Sequence, residues 1–392
     1  MFIKYTKSIK YFISKVFKFF LPIIFVIFIF EFMAIYSGEL IPIEYVVKFQ
    51  NNSSLDSYYG RKIIDQEFYK YKYFSFLAKK PDILVVGSSR VMQIREGIFD
   101  PYYSFYNAGG IIQSLSDLND LEILLENNYK PKYIILGLDI WWFGQKAELE
   151  SGLNEGIIEK DSAYNWKSHL AVYKYLIKLL FNPNELFAIF NNQLLDNSLG
   201  YYGFQALEGN GFRNDGSFIY ENYNKEMEVN DAYVDRETPP IIDRLKNGSK
   251  QFVFDNDFDK LKLSILDKFL KFCKNNDIKV IGMAPPFSTE VYKELNYSIN
   301  YKNLLIPYQE DLPKVFSNYG FYFFDASDIT KLGLNDKYMY DGIHGTETAL
   351  AKIFKIIFSS EIIENYFENN DLLKNLQESI DNSMSNYYMI DW

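Results

Sequence analysis

The chain has 392 residues, 48% hydrophobic and 18% aromatic, which is enough apolar material for one large domain or two small ones. Its formal charge is −10, and five lysines with no acid in residues 1–20 leave about −15 on the remainder, which argues against nucleic acid as the partner. One cysteine, Cys273, excludes an internal disulfide framework, and with two histidines there are few ligands for a zinc site, so neither a metal nor a cofactor is expected.

Residues 1–36 read as a cytoplasmic tip and a transmembrane anchor. Lys4, Lys7, Lys10, Lys15 and Lys18 precede "FFLPIIFVIFIFEFMAIY" (19–36), which carries a single charge, Glu31, and roughly matches the length a helix needs to cross a bilayer. Positive charge on the leading side holds the N-terminus inside. The expectation is a single-pass protein of the bacterial cytoplasmic membrane, with everything after residue 37 outside. A cleaved signal peptide is the rival reading, although Ala34, Ser37 and Gly38 imitate a cleavage site poorly.

Residues 37–80 look like a connector, because "NNSSLDSYYG" is polar and rich in turn formers; the tyrosine- and lysine-rich stretch after it suits a helix. From 81 to 365 short apolar runs alternate with helical patterns. Strands are predicted at 82–87, 104–107, 132–139, 278–284 and 321–326, and helices at roughly 115–128, 258–277, 289–318 and 346–358. Several strands lack apolar-polar alternation, as strands buried on both faces of a parallel sheet do. The fold class is therefore α/β, with helices covering both faces of a central sheet and active groups gathered beyond the carboxyl ends of its strands.

The segment 140–257 is too long for a simple crossover and reads as an insertion. "AVYKYLIKLLF" has helical spacing, and "LGYYGFQALEGNGFRNDGSFIY" resembles hairpins or loops. It is either a cap that completes the packing or a lid over the site. In the second case Tyr201, Tyr202, Arg213 and Asp215 are candidates for sugar contact. "FDNDFD" (254–259) alternates acids like a calcium loop but lacks the glycine and closing glutamate, and is read as a helix N-terminus. The polar, acidic tail 366–392 is assigned no structure.

The chemistry centres on "DILVVGSSRV" (82–91), where an apolar run stops at Gly87 and two serines and Arg90 follow. A serine attacks a carbonyl well only when a base takes its proton and N–H donors stabilise the oxyanion. Of the two histidines, His169 lies in a helical part of the insertion and suits packing or the surface. His344 stands in "YDGIHGTETAL", three residues after Asp341, a spacing at which a carboxylate can reach back to the imidazole. The plainer alternatives are a turn at the serines and a helix cap at Gly345 or Thr346.

Taken together, Gly-x-Ser after the first strand, "YNAGG" after the second, "GLD" after the third and a terminal Asp-x-x-His resemble the SGNH (GDSL-like) hydrolase superfamily. The resemblance covers about 81–360 without the insertion. It implies a three-layer sandwich around a mostly parallel five-stranded, flavodoxin-like sheet, with Ser89 as nucleophile, His344 as base and Asp341 as its partner. It also implies an oxyanion hole from the backbone of Ser89, Gly109, Gly110 and Ile112, the last standing where the family has glycine. Arg90, Asn107, Asp139, Tyr201 and Arg213 are the candidates for substrate contact. Asp139 replaces the family's asparagine donor, and an ionised carboxylate cannot donate. Either Asp139 is protonated, or it is turned away and paired with Arg90, or the hole is built from the Ser89 amide and the second loop.

The order of anchor, connector and domain is similar to that of membrane-anchored members that modify envelope polymers. That branch implies a serine esterase or O-acyltransferase acting on acyl groups, acetyl foremost, of a cell-envelope polysaccharide, with a membrane-bound acyl-transfer protein as a possible partner. The alternative is a non-catalytic glycan-binding or assembly protein that keeps the fold.

Overall fold

The computed structural model describes residues 2–52, 56–146, 163, 165–184, 186–187, 200–220, 238–253, 258–360, 366–368, 371–382, 387–390 and 392, with side chains from residue 9 onward. The described strands are β1 (Ser57–Tyr59), β2 (Ile83–Val86), β3 (Phe105–Asn107), β4 (Tyr133–Gly137), β5 (Gly200–Tyr202), β6 (Asn210–Phe212), β7 (Phe218–Tyr220), β8 (Lys279–Ala284) and β9 (Tyr322–Asp325). Five of them form a parallel sheet in the order β3-β2-β4-β8-β9. Numbered within that sheet alone the order is 2-1-3-4-5, the doubly wound arrangement whose switch point falls between its first and third strands.

The sheet is central because its strands are apolar on both sides. Leu84, Val86, Ile134, Leu136 and Val280 face one core. Their neighbours Ile83, Val85, Ile135, Ile281 and Met283 face a second one. The first is covered by helices Asp117–Asn127, Lys260–Asn275 and Ile299–Ser317, the second by Glu347–Phe358 and Leu372–Asn382. This three-layer α/β arrangement agrees with the fold class expected from the strand pattern. Asp259, the last residue of the acidic run, caps its helix by accepting from the Leu261 amide at 2.8 Å; Asp255 and Asp257 lie outside the described residues.

Two segments differ from the expectation. The stretch 37–80 is not a separate connector. It contributes β1 and the helices Ile43–Asn52 and Phe68–Lys79. The second sheet has the order β5-β1-β6-β7, so β1 sits between strands of the insertion, parallel to β5 and antiparallel to β6. Its apolar residues Tyr59, Phe212 and Phe218 share a core with Val46, Val47 and Tyr71. The tail likewise forms a helix over Leu372–Asn382, which buries Leu372, Leu376 and Ile380, one side chain per turn, on the central domain. Beyond it the Trp392 indole donates to Glu347 Oε1 at 2.8 Å.

The N-terminal helix Phe2–Tyr36 contains a span, Ile9–Tyr36, long and apolar enough to cross a membrane, with 6% of its most apolar window buried against the rest of the chain. Its end is built into the second sheet. Ser37 O accepts from the Gly203 amide at 2.7 Å, and Gly38, at φ 79°, lies so close to Tyr202 that a Cβ there would sit 2.5 Å from the Tyr202 Cα. Glu39 is fully buried, and its carboxylate takes the amides of Lys62, Ile63 and Ile64 at 3.0, 2.7 and 3.2 Å and that of Phe204 at 2.9 Å. Glu39→Ala would leave these amides without acceptors in a dry site. We expect it to lower unfolding stability by about 3 kcal/mol, read from urea denaturation; a loss below about 1 kcal/mol would show that water replaces the carboxylate.

Candidate active site

Strand β2 ends where the chain must turn sharply. Gly87 has φ 154°, and a Cβ there would meet Gly137 O at 3.0 Å and Val91 Cγ2 at 3.1 Å. Ser88 then caps a short 3-10 turn, Ser89–Val91, its Oγ accepting from the Arg90 amide at 3.2 Å. This turn lifts Ser89 to the carboxyl edge of the sheet, at the switch point, with its side chain half-buried.

His344 arrives from the opposite end of the domain, on the loop before helix Glu347–Phe358. Thr346 caps that helix, its Oγ1 accepting from the Ala349 amide at 3.1 Å, and His344 O accepts from the Tyr340 amide at 2.8 Å. The imidazole Nε2 lies 2.9 Å from Ser89 Oγ although the two residues are 255 positions apart. Its Nδ1 lies 2.7 Å from Asp341 Oδ2. Asp341 Oδ1 accepts from the Ile343 and His344 amides, each at 2.7 Å, so the carboxylate is fixed by its own loop. Burial would raise the Asp341 carboxyl, but the His344 charge beside it and these hydrogen bonds outweigh that and hold it below the usual carboxylate range. Hydroxyl, imidazole and carboxylate thus lie in one hydrogen-bonded line, an arrangement able to carry a proton from Ser89 to His344.

The other residues singled out from the sequence have different tasks. Asn107 is fully buried, its Nδ2 donating to Val91 O and Ile94 O at 2.8 Å and its Oδ1 accepting from the Gly109 amide at 2.7 Å. The Gly110 and Ile112 amides both donate to Gly87 O, at 2.7 and 3.3 Å. Of the four amides expected to line an oxyanion hole, that of Ser89 alone has no hydrogen-bond acceptor among the described residues. The loop after β3 needs its own amides to hold its shape against β2.

Arg90 and Asp139 do not face a substrate either; they face each other. Arg90, 2% exposed, bonds Asp139 Oδ1 through Nη1 at 2.9 Å, Ile343 O through Nε at 2.9 Å, and the carbonyls of Pro285 and Pro286 through Nη2 at 2.7 Å each. The Phe287 ring centroid lies 3.9 Å from its guanidinium carbon. The guanidinium therefore ties together the Ser89 turn, the end of β4, the loop after β8 and the His344 loop. Burial pushes the Asp139 carboxyl up, against the opposing pull of the Arg90 charge and of side-chain hydrogen bonding from Ser88 and Arg90. Of the three readings open for Asp139, the geometry selects the one turned away and paired with Arg90. Pro285, Pro286 and Phe287 gave no sign of this in the sequence, because two of them act through backbone carbonyls.

The insertion candidates are committed as well. Arg213, 7% exposed, bonds Ser217 Oγ and Glu347 Oε2, each at 3.2 Å. Asp215 takes Arg95 Nε at 2.8 Å and Ser217 Oγ at 2.6 Å; burial would raise its carboxyl, but Arg95 and Arg213 hold it well below the usual range. Tyr201 is buried against Tyr58, and Tyr202 stacks on Phe49. Arg213 thereby fastens the second sheet to the start of the Glu347–Phe358 helix, while Tyr201 and Tyr202 pack among aromatic rings around that sheet. His169 bonds Glu31 and the Ala163 carbonyl.

On the far side of Trp141 from Arg90 lies a cavity of about 400 Å³, a size that suits a small-molecule site, lined by residues including Trp141, Trp142, Phe252, Tyr301, Lys146 and Lys250. Its wall residue Trp141 places its ring 5.3 Å from the Arg90 guanidinium carbon, while neither Ser89 nor His344 lines it. Ser114, another wall residue, has a buried Oγ with no hydrogen-bond partner. Among the described residues no group of His, Cys, Asp and Glu is placed to hold a metal ion. Compared with known family models, with curated proteins and with solved structures, the chain matches none of them.

Proposed function

We propose that the chain is a membrane-anchored, extracytoplasmic SGNH-type serine esterase or O-acyltransferase, acting on acyl groups, acetyl foremost, of a bacterial cell-envelope polysaccharide. The observation that carries this reading is the line from Ser89 Oγ through the His344 ring to Asp341, at 2.9 and 2.7 Å, above the carboxyl edge of a parallel sheet. In the first half-reaction Ser89 Oγ attacks the acyl carbonyl while His344 Nε2 takes its proton. The Ser89 amide stabilises the oxyanion. As the tetrahedral intermediate collapses, the leaving alcohol takes the proton back from His344 and an acyl-Ser89 ester remains. Water or a sugar hydroxyl then repeats these steps in reverse roles.

The membrane assignment draws on the 28-residue apolar span and on the way its end is bonded into the second sheet, which favours an anchor that is kept. Lysines on the leading side fit an N-terminus inside and a domain outside.

A fluorophosphonate probe tests the nucleophile. The wild-type chain should label, and Ser89→Ala should lose at least about 99% of the signal, as removal of a triad nucleophile does, while melting at an unchanged temperature. Undiminished labelling of Ser89→Ala would move the nucleophile elsewhere. One observation favours a second reading, a glycan-binding or assembly protein: the Gly109, Gly110 and Ile112 amides are occupied. That reading expects no labelling of the wild-type chain and saturable binding of polysaccharide.

A further inference from the structure

The insertion helix Trp166–Leu180 packs beside the end of the N-terminal helix, and its surface divides into four faces. At about 100° per residue, Val172, Leu176 and Leu179 share one face and are buried in a core with Ala34, Phe204 and Leu207. The next face, His169 and Tyr173, meets the N-terminal helix: His169 Nδ1 lies 3.1 Å from Glu31 Oε2, Tyr173 OH donates to the same oxygen, and the Tyr173 ring stacks on Phe30 at 5.9 Å. Further round, within about 60° of one another, come Trp166, Leu170, Ile177 and, just past the helix end, Phe181. They are 70%, 45%, 44% and 85% exposed. Lys167, Lys174 and Lys178 follow on the far border of that stripe, all exposed.

We infer that this stripe lies in the headgroup layer of the membrane that holds the N-terminal helix, with Lys167, Lys174 and Lys178 against anionic lipid headgroups. The inference rests on the anchor reading given above. Continuity commits the face to lipid and not to a protein. The stripe adjoins the face bonded to Glu31, and Glu31 stands five residues, about 7–8 Å of helix, before the end of the apolar span at Tyr36. That depth is where an amphipathic helix rests when its apolar side enters the boundary between headgroups and acyl chains. The sequence of faces, buried, anchor-bound, apolar and basic, is what a helix lying on a bilayer beside its own anchor requires. It also accounts for Glu31: a carboxylate on a lipid-facing helix is costly unless paired, and the insertion helix supplies both partners.

The test uses the full chain in vesicles of phosphatidylcholine with phosphatidylglycerol, carrying one environment-sensitive fluorophore on an introduced cysteine. Cys273 is buried and does not compete. Labels at Leu170→Cys and Ile177→Cys should shift to the blue and lose most of their emission to lipids spin-labelled near the headgroup. A label at Tyr297→Cys, a residue 81% exposed on the central domain, should answer only to aqueous iodide. Ile27→Cys, inside the apolar span, reports on the anchor itself. Lipid quenching at Ile27 with iodide quenching at Ile177 would overturn the surface helix and leave the anchor standing. Shielding of Ile177 from iodide without quenching by lipid would assign the stripe to a protein and overturn it too. No lipid quenching at Ile27 would remove the anchor and the inference with it.

Discussion

Asp139→Ala should destabilise the folded chain by about 3–5 kcal/mol, more than any other single change considered for this domain. The Arg90 guanidinium and Asp139 carboxylate are each 1% exposed at the side chain, 2.9 Å apart. Removing the carboxylate leaves a buried cation whose remaining partners are neutral carbonyls, and that loss is not repaid by water. The cost should fall when both partners become apolar. Arg90→Met with Asp139→Leu should recover part of the stability, because desolvation of two charges is then avoided. Urea denaturation of the single and double variants gives the coupling energy, and a deficit below about 1 kcal/mol in Asp139→Ala would show that the pair is not what holds this region. In the proposed esterase the pair would position Ser89 and His344 without touching substrate. Arg90 Nε holds Ile343 O, next to His344, so Arg90→Met with Asp139→Leu should lower kcat with little change in KM even where stability returns.

Asp341→Asn should reduce acyl-group turnover by about 10²–10⁴-fold while the chain stays folded. In the wild type Asp341 Oδ2 accepts from Nδ1–H, which leaves Nε2 free to accept the Ser89 proton. An asparagine keeps one oxygen for the Ile343 and His344 amides and turns its NH₂ toward Nδ1. The favoured tautomer then carries its hydrogen on Nε2, where the Ser89 proton should go. Probe labelling rates and kcat on an aryl acetate measure the effect. Rates within tenfold of the wild type would remove Asp341 from the mechanism. The same carboxylate should shape acid stability. Because its pKa in the folded chain is lowered, its stabilisation is complete above the unfolded value near 3.9 and is lost as pH falls through the lower folded value. Below about pH 4 the wild type should therefore lose stability relative to its own neutral value faster than Asp341→Asn.

Much of the frame was legible in residue order because it is written in local periodicity. Apolar runs such as Ile83–Val86 and Lys279–Ala284 mark strands buried on both faces, and the run after Lys18 marks a helix of membrane-spanning length. Asp341 and His344 were readable as a pair, since three residues on one loop can meet without help from the rest of the chain. The tail helix could also have been found: Leu372, Leu376 and Ile380 recur at helical spacing within polar surroundings.

Tertiary structure alone decided the rest. Strands of three residues, such as Ser57–Tyr59 and Gly200–Tyr202, are too short to show a period, and their pairing spans some 140 positions of chain. So the 37–80 segment took its structure from partners that no local pattern names. Arg90 and Asp139 followed the same logic. Each reads as a polar group beside a candidate nucleophile, yet folding removes both from water, and a buried charge must take whatever opposite charge and carbonyls the packing brings to it. Residue types and spacing determined which side chains could do chemistry, whereas long-range packing decided which of them remained free to do it.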